Sequence, residues 1–123
     1  MIYLSQHHIL HRDLAAKNCL LGNEILKVSD FGLSREMDPN YEYISEANPF
    51  LPFRWLPLEA LVPAIGQYKT FTVKGDVWSF GVLIWEMFEM GASPYDNLTF
   101  EGVKSFLLAK QRLNRPEHCP RKL

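Results

Sequence analysis

Two carboxylates, an asparagine and a lysine in the first thirty residues are of the types that phosphoryl transfer uses. The run His11-Arg12-Asp13-Leu14-Ala15-Ala16-Lys17-Asn18 is followed, after two short apolar stretches, by Asp30-Phe31-Gly32. That chemistry needs a carboxylate to orient an attacking hydroxyl and accept its proton, and oxygen ligands for magnesium on the nucleotide phosphates. It also gains from a cation that offsets charge on the transferring group. Asp13 is the candidate for the first role, Asn18 and Asp30 for the second, and Lys17 for the third.

Those groups are separated in the chain, so local structure must gather them. Cys19-Leu20-Leu21 and Ile25-Leu26-Lys27-Val28 read as two short strands, with Gly22-Asn23 as the turn. A tight hairpin there brings Asn18 back beside Asp30. The polar stretch 11–18 reads as a loop, and residues 1–7 as the end of a helix. The segment 30–53 has little periodicity and holds Gly32, Pro39, Pro49 and Pro52, which marks a long irregular and functional loop. A short helix over 56–61, a second loop over 64–72 and a helix over 99–109, capped near Asn97 or Thr99, follow. The clearest helix is 77–90, apolar nearly all round as in a buried helix, with Asp76 available to cap its start and Gly91 its end. Trp78, Phe80, Trp85 and Phe88 on it read as core.

Composition narrows the class. The 123 residues are 47% hydrophobic and 22% charged, as in a globular chain of one small domain or part of one. With 13 basic and 14 acidic residues the formal charge is −1, which gives no electrostatic case for nucleic acid or a membrane surface as a partner. Cys19 and Cys119 form no C-x-x-C pair, so a disulfide framework or zinc site is not expected and a reducing compartment fits. No signal peptide is visible, and the most apolar run, 82–90, is interrupted by Glu86 and Glu89 and is too short to span a bilayer. His7, His8 and His11 match no zinc spacing; His11 reads as a packing and hydrogen-bonding residue of the loop.

The pairing of His11-Arg12-Asp13-Leu14 and Asn18 with Asp30-Phe31-Gly32 resembles the signature of the protein kinase family. Three later stretches extend the likeness over nearly the whole chain. Pro52-Phe53-Arg54-Trp55-Leu56-Pro57-Leu58-Glu59 is similar to the substrate-docking segment of tyrosine kinases. Lys74-Gly75-Asp76-Val77-Trp78-Ser79-Phe80-Gly81 is similar to the start of their central helix. Arg115-Pro116-Glu117-His118-Cys119-Pro120 resembles receptor-type members. Lys17 just before Asn18, Ala15 where serine/threonine kinases usually carry lysine, and Pro52 with Trp55 favour tyrosine as the acceptor.

The resemblance implies an α+β, mostly α fold, with residues 1–123 forming part of the C-terminal (large) lobe of a kinase domain. This part holds the catalytic loop, activation segment and central helices, without the small lobe or the last helices. It implies ATP and Mg2+ as cofactors and protein tyrosine as substrate. Asp13 becomes the catalytic base, Lys17 a group near the transferring phosphate, and Asn18 and Asp30 metal ligands. Leu20 becomes the floor of the adenine site, beside Asp30. Tyr43 matches the activation-loop tyrosine, with Tyr41 a second site. Phosphate there could pair with Arg12 and Arg35. Pro52, Arg54 and Trp55 become the docking platform. For Asp76 two readings stand: a plain helix cap, or a group that steadies the catalytic-loop backbone, as in the family. A receptor-type parent would place this part on the cytoplasmic side of the plasma membrane, reaching the membrane only through that parent; otherwise the setting is cytoplasmic.

The chain also departs from the family pattern. It holds no Gly-rich loop, strand lysine or partner glutamate, so the 123 residues alone are expected to be inactive. Lys17 stands for the usual arginine, Pro57-Leu58-Glu59 for Ala-Pro-Glu, and Glu59 is expected to lack its arginine partner. The alternative reading is a pseudokinase, or a truncated kinase-like binding module.

Overall fold

The computed structural model describes residues 1–40, 42–45, 51–62 and 68–122. Tyr41 and part of the loop expected over 64–72 lie outside the described residues. The chain is α+β. In order it forms α1 (Ile2–Gln6), β1 (Ile9–Leu10), a 3-10 turn (Ala16–Asn18), β2 (Cys19–Gly22), β3 (Ile25–Val28), β4 (Arg35–Glu36) and β5 (Glu42–Ser45). A second 3-10 turn (Phe53–Trp55), α2 (Leu58–Leu61), β6 (Lys69–Thr72), α3 (Val73–Phe88) and α4 (Phe100–Leu108) follow.

The strands pair as three antiparallel two-stranded ladders: β1 with β4, β2 with β3, and β5 with β6. The β2–β3 hairpin matches the sequence expectation, but its turn is Asn23-Glu24 rather than Gly22-Asn23. Both residues have positive φ, 51° and 61°, the left-handed pair that suits the twist of a two-residue hairpin. Gly22 instead ends β2 opposite Ile25. The other two ladders escaped the sequence reading. β6 occupies the end of a segment read as loop. β4 and β5 lie in the stretch read as irregular: β4 has two residues, and the Glu-Tyr-Ile-Ser of β5 is no apolar run and pairs with a strand far along the chain.

Helix α3 starts four residues before the expected point. Thr72, not Asp76, is its cap: the Thr72 hydroxyl accepts from the Gly75 N–H. At the other end Met90 takes the left-handed position (φ 55°), and Gly91 N–H reaches back to the Glu86 carbonyl at 2.8 Å, a Schellman-type closure. The expectation of a helix buried all round is corrected too. Asp76, Ser79, Val82, Leu83 and Glu86 are buried, whereas Val77, Phe80 and Met87 are open to solvent. The hidden stripe therefore carries three polar residues, each of which needs a partner. Thr99 caps α4 through the Gly102 N–H.

The apolar core joins Leu10, Leu51, Leu56, Ala60, Leu61, Phe71, Tyr95, Val103 and Leu107 from both halves of the chain. It sits beneath the loop that carries Asp13. No helix among the described residues is long and apolar enough to cross a membrane.

Candidate active site

The loop 11–16 has no ladder to hold it, yet His11 to Ala15 are all buried. Polar pins replace the ladder. Both oxygens of Asp76 accept backbone N–H groups, from His11 at 2.7 Å and from Arg12 at 3.0 Å. Of the two readings open for Asp76, the geometry selects the one in which it steadies this loop. Burial pushes the Asp76 carboxyl above the usual carboxylate range, and the two amides pull the other way. Arg12 takes φ 67°, costly for a side chain with a Cβ, and the Asp76 pin holds it there.

His11 works as the sequence suggested, through hydrogen bonds. Its Nδ1 accepts the Asp13 N–H at 3.2 Å, so its Nε2 carries the hydrogen and donates to the Ser29 carbonyl at 3.0 Å. The Phe31 ring meets it edge-on at 4.8 Å. One imidazole thus links the loop to the strand end before Asp30.

Asp13 itself is buried. One oxygen lies 3.4 Å from Lys17 Nζ; the other, Oδ1, is buried with no hydrogen-bond partner among the described residues. A buried carboxylate oxygen left open is costly unless something else binds it, so this atom is free to accept a proton or a hydroxyl. Asn18 Nδ2 donates to the Asp13 carbonyl at 2.7 Å, which fixes the amide orientation and turns the Asn18 carbonyl oxygen the other way.

The β2–β3 ladder continues past its end: Ser29 N–H and hydroxyl both donate to the Asn18 carbonyl, at 2.8 and 2.9 Å. Asp30 therefore follows directly on the residue paired with Asn18. It has φ 58°, and its Oδ1 accepts the Gly32 N–H at 3.2 Å. Asn18 and Asp30 thus offer oxygens from adjacent ends of one ladder. A hard cation that keeps several waters can be held by so few protein oxygens. Among the described residues there is no cluster of three or more His, Cys, Asp or Glu side chains fit for a metal. Leu20 is 60% exposed and its neighbour Leu21 74%, so both faces of the hairpin are open there.

Tyr43, Arg12 and Arg35 converge because β5 pairs with β6 in a register that sets Tyr43 opposite Phe71. The Arg12 guanidinium lies over both rings, 4.1 Å from the Phe71 centroid and 4.7 Å from that of Tyr43, and Arg35 lies 5.9 Å from the Tyr43 ring. Arg12 Nη1 donates to the Leu33 carbonyl at 3.3 Å, while its Nε is buried with no hydrogen-bond partner among the described residues. Burial pulls the Arg12 pKa down, with Tyr43 opposing that shift and Arg35 adding to it.

In the segment 52–55 Pro52 and Trp55 close a 3-10 turn, Trp55 N–H to the Pro52 carbonyl at 3.0 Å. Arg54 is spent on backbone: its guanidinium donates to the carbonyls of Pro94, Tyr95 and Leu98. That arrangement makes it a brace between the segment and the chain after α3. Glu59 is exposed and makes no ion pair among the described residues.

Two residues that the sequence reading passed over hold this segment. Ser79 Oγ donates to the Trp55 carbonyl at 2.7 Å, and Glu86 Oε2 accepts from Trp55 Nε1 at 2.7 Å and from Ala16 N–H at 2.9 Å. A signal was present: a carboxylate inside a strongly apolar helix has to find donors.

Comparison with known proteins agrees with these motifs. A family model described as protein tyrosine and serine/threonine kinase matches residues 1–123. The tyrosine-protein kinase transmembrane receptor Ror of Drosophila melanogaster is 43% identical over 121 residues, covering 98% of this chain and 17% of that protein. The human tyrosine-protein kinase Fer is 41% identical over 121 residues, 98% of this chain and 14% of its own. The NT-3 growth factor receptor of Sus scrofa is 40% identical over 124 residues, all of this chain and 14% of the receptor. The chain thus spans about one sixth of the length of the curated relatives it matches.

Proposed function

The chain belongs to the protein tyrosine kinase family, and from that premise we propose that it is the catalytic part of the large lobe of a kinase that transfers the ATP γ-phosphate to protein tyrosine. The observation that carries this reading is the open, buried Oδ1 of Asp13 on a loop pinned by Asp76. Asp13 orients the acceptor hydroxyl and takes its proton as the oxygen attacks. Lys17, at 3.4 Å from the other Asp13 oxygen, stands where it can offset charge on the transferring group. Asn18 and Asp30 would hold Mg2+, which would supply neutralisation of phosphate charge. Leu20, exposed on the hairpin, would line the adenine site.

Pro52 and Trp55 form the platform for the tyrosine substrate, with Arg54 bracing it from behind. A phosphate on Tyr43 would meet the Arg12 and Arg35 guanidinium groups already gathered there, and Tyr41, outside the described residues, is the second proposed site. Receptor relatives such as Ror and the NT-3 receptor support a receptor-type parent, with this part on the cytoplasmic side of the plasma membrane.

The 123-residue chain by itself is expected to transfer no phosphate. It contains no Gly-rich loop or strand lysine to fix the nucleotide, and this chemistry rests on positioning. The test pairs the chain with a longer protein that joins it to such a nucleotide-binding portion, assayed on a tyrosine peptide with Mg-ATP. The longer protein should phosphorylate tyrosine and lose roughly 100- to 10,000-fold of its rate on Asp13→Asn. Undiminished activity in that variant, or phosphate found only on serine, would overturn the assignment.

A further inference from the structure

The stripe of α3 that carries Asp76, Ser79 and Glu86 faces the loop 11–16 and the segment 52–55. Another side of the same helix faces the chain that follows α4. Residues 111–116 have no regular structure, and side chains hold them against the helix. The Arg112 guanidinium lies over the Trp78 ring at 5.1 Å, the Trp85 indole N–H donates to the Asn114 carbonyl at 3.0 Å, and Pro116 is buried. Helix and segment do not close on each other. Between them lies an open cavity of about 420 Å3, a size that suits a small ligand.

Its lining combines aromatic walls with positive charge. Trp78, Trp85, Phe88 and Tyr95 supply rings, Arg112 and Arg115 supply guanidinium groups, and no carboxylate lines it. The Arg115 side chain makes no hydrogen bond or ion pair among the described residues. The Trp78 indole N–H is a buried donor with no hydrogen-bond partner among the described residues. A buried indole N–H left open calls for an acceptor, since it can only donate. A free guanidinium is matched by a carboxylate, which it can hold through two parallel bonds. Aromatic walls favour a ring in offset or edge-on contact. Gly81 leaves room for it: a Cβ there would meet nothing within 4 Å. The carboxylates of Glu89 and Asp96 line a neighbouring cleft, and neither pairs with Arg112 or Arg115.

We propose that this cavity is a binding site for a small aryl carboxylate, with the ring among Trp78, Trp85 and Phe88 and the carboxylate on Arg115, Arg112 and the Trp78 indole N–H. The site uses no residue of the loop 11–16 or the segment 52–55, so it stands or falls separately from the kinase reading.

The test is an NMR titration of the 15N-labelled chain with naphthoate. The Trp78 and Trp85 indole signals should move with a Kd of about 1 mM or tighter, while the Trp55 indole stays. No movement, or equal movement of all three, overturns the site. Naphthamide, the neutral analogue, should bind at least about 10-fold more weakly; equal affinity overturns the carboxylate assignment. Gly81→Leu, at an exposed helical position, should fill the cavity and remove the shifts; shifts that persist place the ligand elsewhere and overturn the proposal. Should that variant not fold, Arg115→Gln serves: it should weaken naphthoate roughly 10-fold and leave naphthamide unchanged, and an unchanged naphthoate affinity overturns the proposal. Cys119, which lines the cavity, gives an independent readout. Naphthoate should slow alkylation of Cys119 and not of Cys19, at the base of the hairpin; equal effects on the two thiols would overturn the site.

Discussion

The loop 11–16 and the β2–β3 hairpin are neighbours in sequence and opposite in construction. The loop has no regular pairing, yet His11, Arg12, Asp13, Leu14 and Ala15 are all nearly inaccessible to water. The hairpin has a full four-pair ladder, yet Leu20, Leu21, Ile25 and Leu26 stand 50–74% exposed. Backbone regularity and burial are therefore separate achievements here. The loop is held from outside, by Asp76, Glu86 and the His11 ring. Among the described residues the hairpin is tied to the rest near its base, by the Asn18–Ser29 bonds, the Cys19 thiol on the Ala15 carbonyl and the His11 ring on the Ser29 carbonyl. An isolated two-stranded ladder is marginal in water. At that base Asn18 is paired with Ser29, the residue before Asp30.

The contrast implies that single changes should cost much in the first region and little in the second. Asp76→Ala orphans two buried donors, each worth about 1–3 kcal/mol, and releases the strained Arg12 backbone. Urea denaturation should show a loss of about 2–6 kcal/mol; a loss below about 1 kcal/mol would mean that the loop is held by something other than its pins. Leu10→Ala, at a fully buried residue just before the loop, should cost about 2–5 kcal/mol in the same measurement.

In the hairpin the expected effects are smaller and one reverses sign. Glu24 sits at φ 61°, where glycine pays no Cβ penalty, so Glu24→Gly should raise the denaturation midpoint by about 0.5–1 kcal/mol equivalent. Leu21→Lys should change stability by less than about 0.5 kcal/mol, while reducing self-association in sedimentation. A large loss on Leu21→Lys would break the comparison, since it would show the hairpin face to be packed.

The last effect is a slope. Burial raises the Asp76 carboxyl, so between its ordinary value and the raised one the folded chain binds more proton than the unfolded chain. The stability this titration contributes is fully present below the ordinary value and is lost as pH rises through the folded one. The stability difference between wild type and Asp76→Asn should therefore shrink as pH rises from the acid side and level off above the folded pKa. A difference that grows with pH would reverse the direction of the shift.

Legibility in the sequence followed the range of the interactions. The β2–β3 hairpin was readable because its apolar runs and turn lie within ten residues. Its turn was misplaced by one residue because Gly22-Asn23 and Asn23-Glu24 both contain the asparagine that tolerates positive φ. Helix α4 was readable from Thr99 and the apolar spacing after it. Helix α3 was recognised, but its buried face was not. A nearly all-apolar run shows that a helix is buried somewhere, not which stripe is, and here the hidden stripe is the one with Asp76, Ser79 and Glu86. Strands β5 and β6, as long as β2 and β3, were missed because Glu-Tyr-Ile-Ser and Lys-Thr-Phe-Thr are no apolar runs and their partners lie far apart in the chain; their pairing is what gathers Tyr43, Phe71 and Arg12.

The sequence by itself determined the order of the chemistry-bearing residue types Asp13, Lys17, Asn18 and Asp30, and the hairpin that lies between the last two. Its family followed from those motifs. Only the tertiary structure decided what holds them: the bonds from His11 and Arg12 to Asp76 and from Ala16 to Glu86 join residues 65, 64 and 70 positions apart. Periodicity and capping are local rules, set by neighbours within a turn or a pleat. The partner of a buried carboxylate depends on which backbone N–H groups the whole fold leaves unpaired beside it, and no local pattern carries that information.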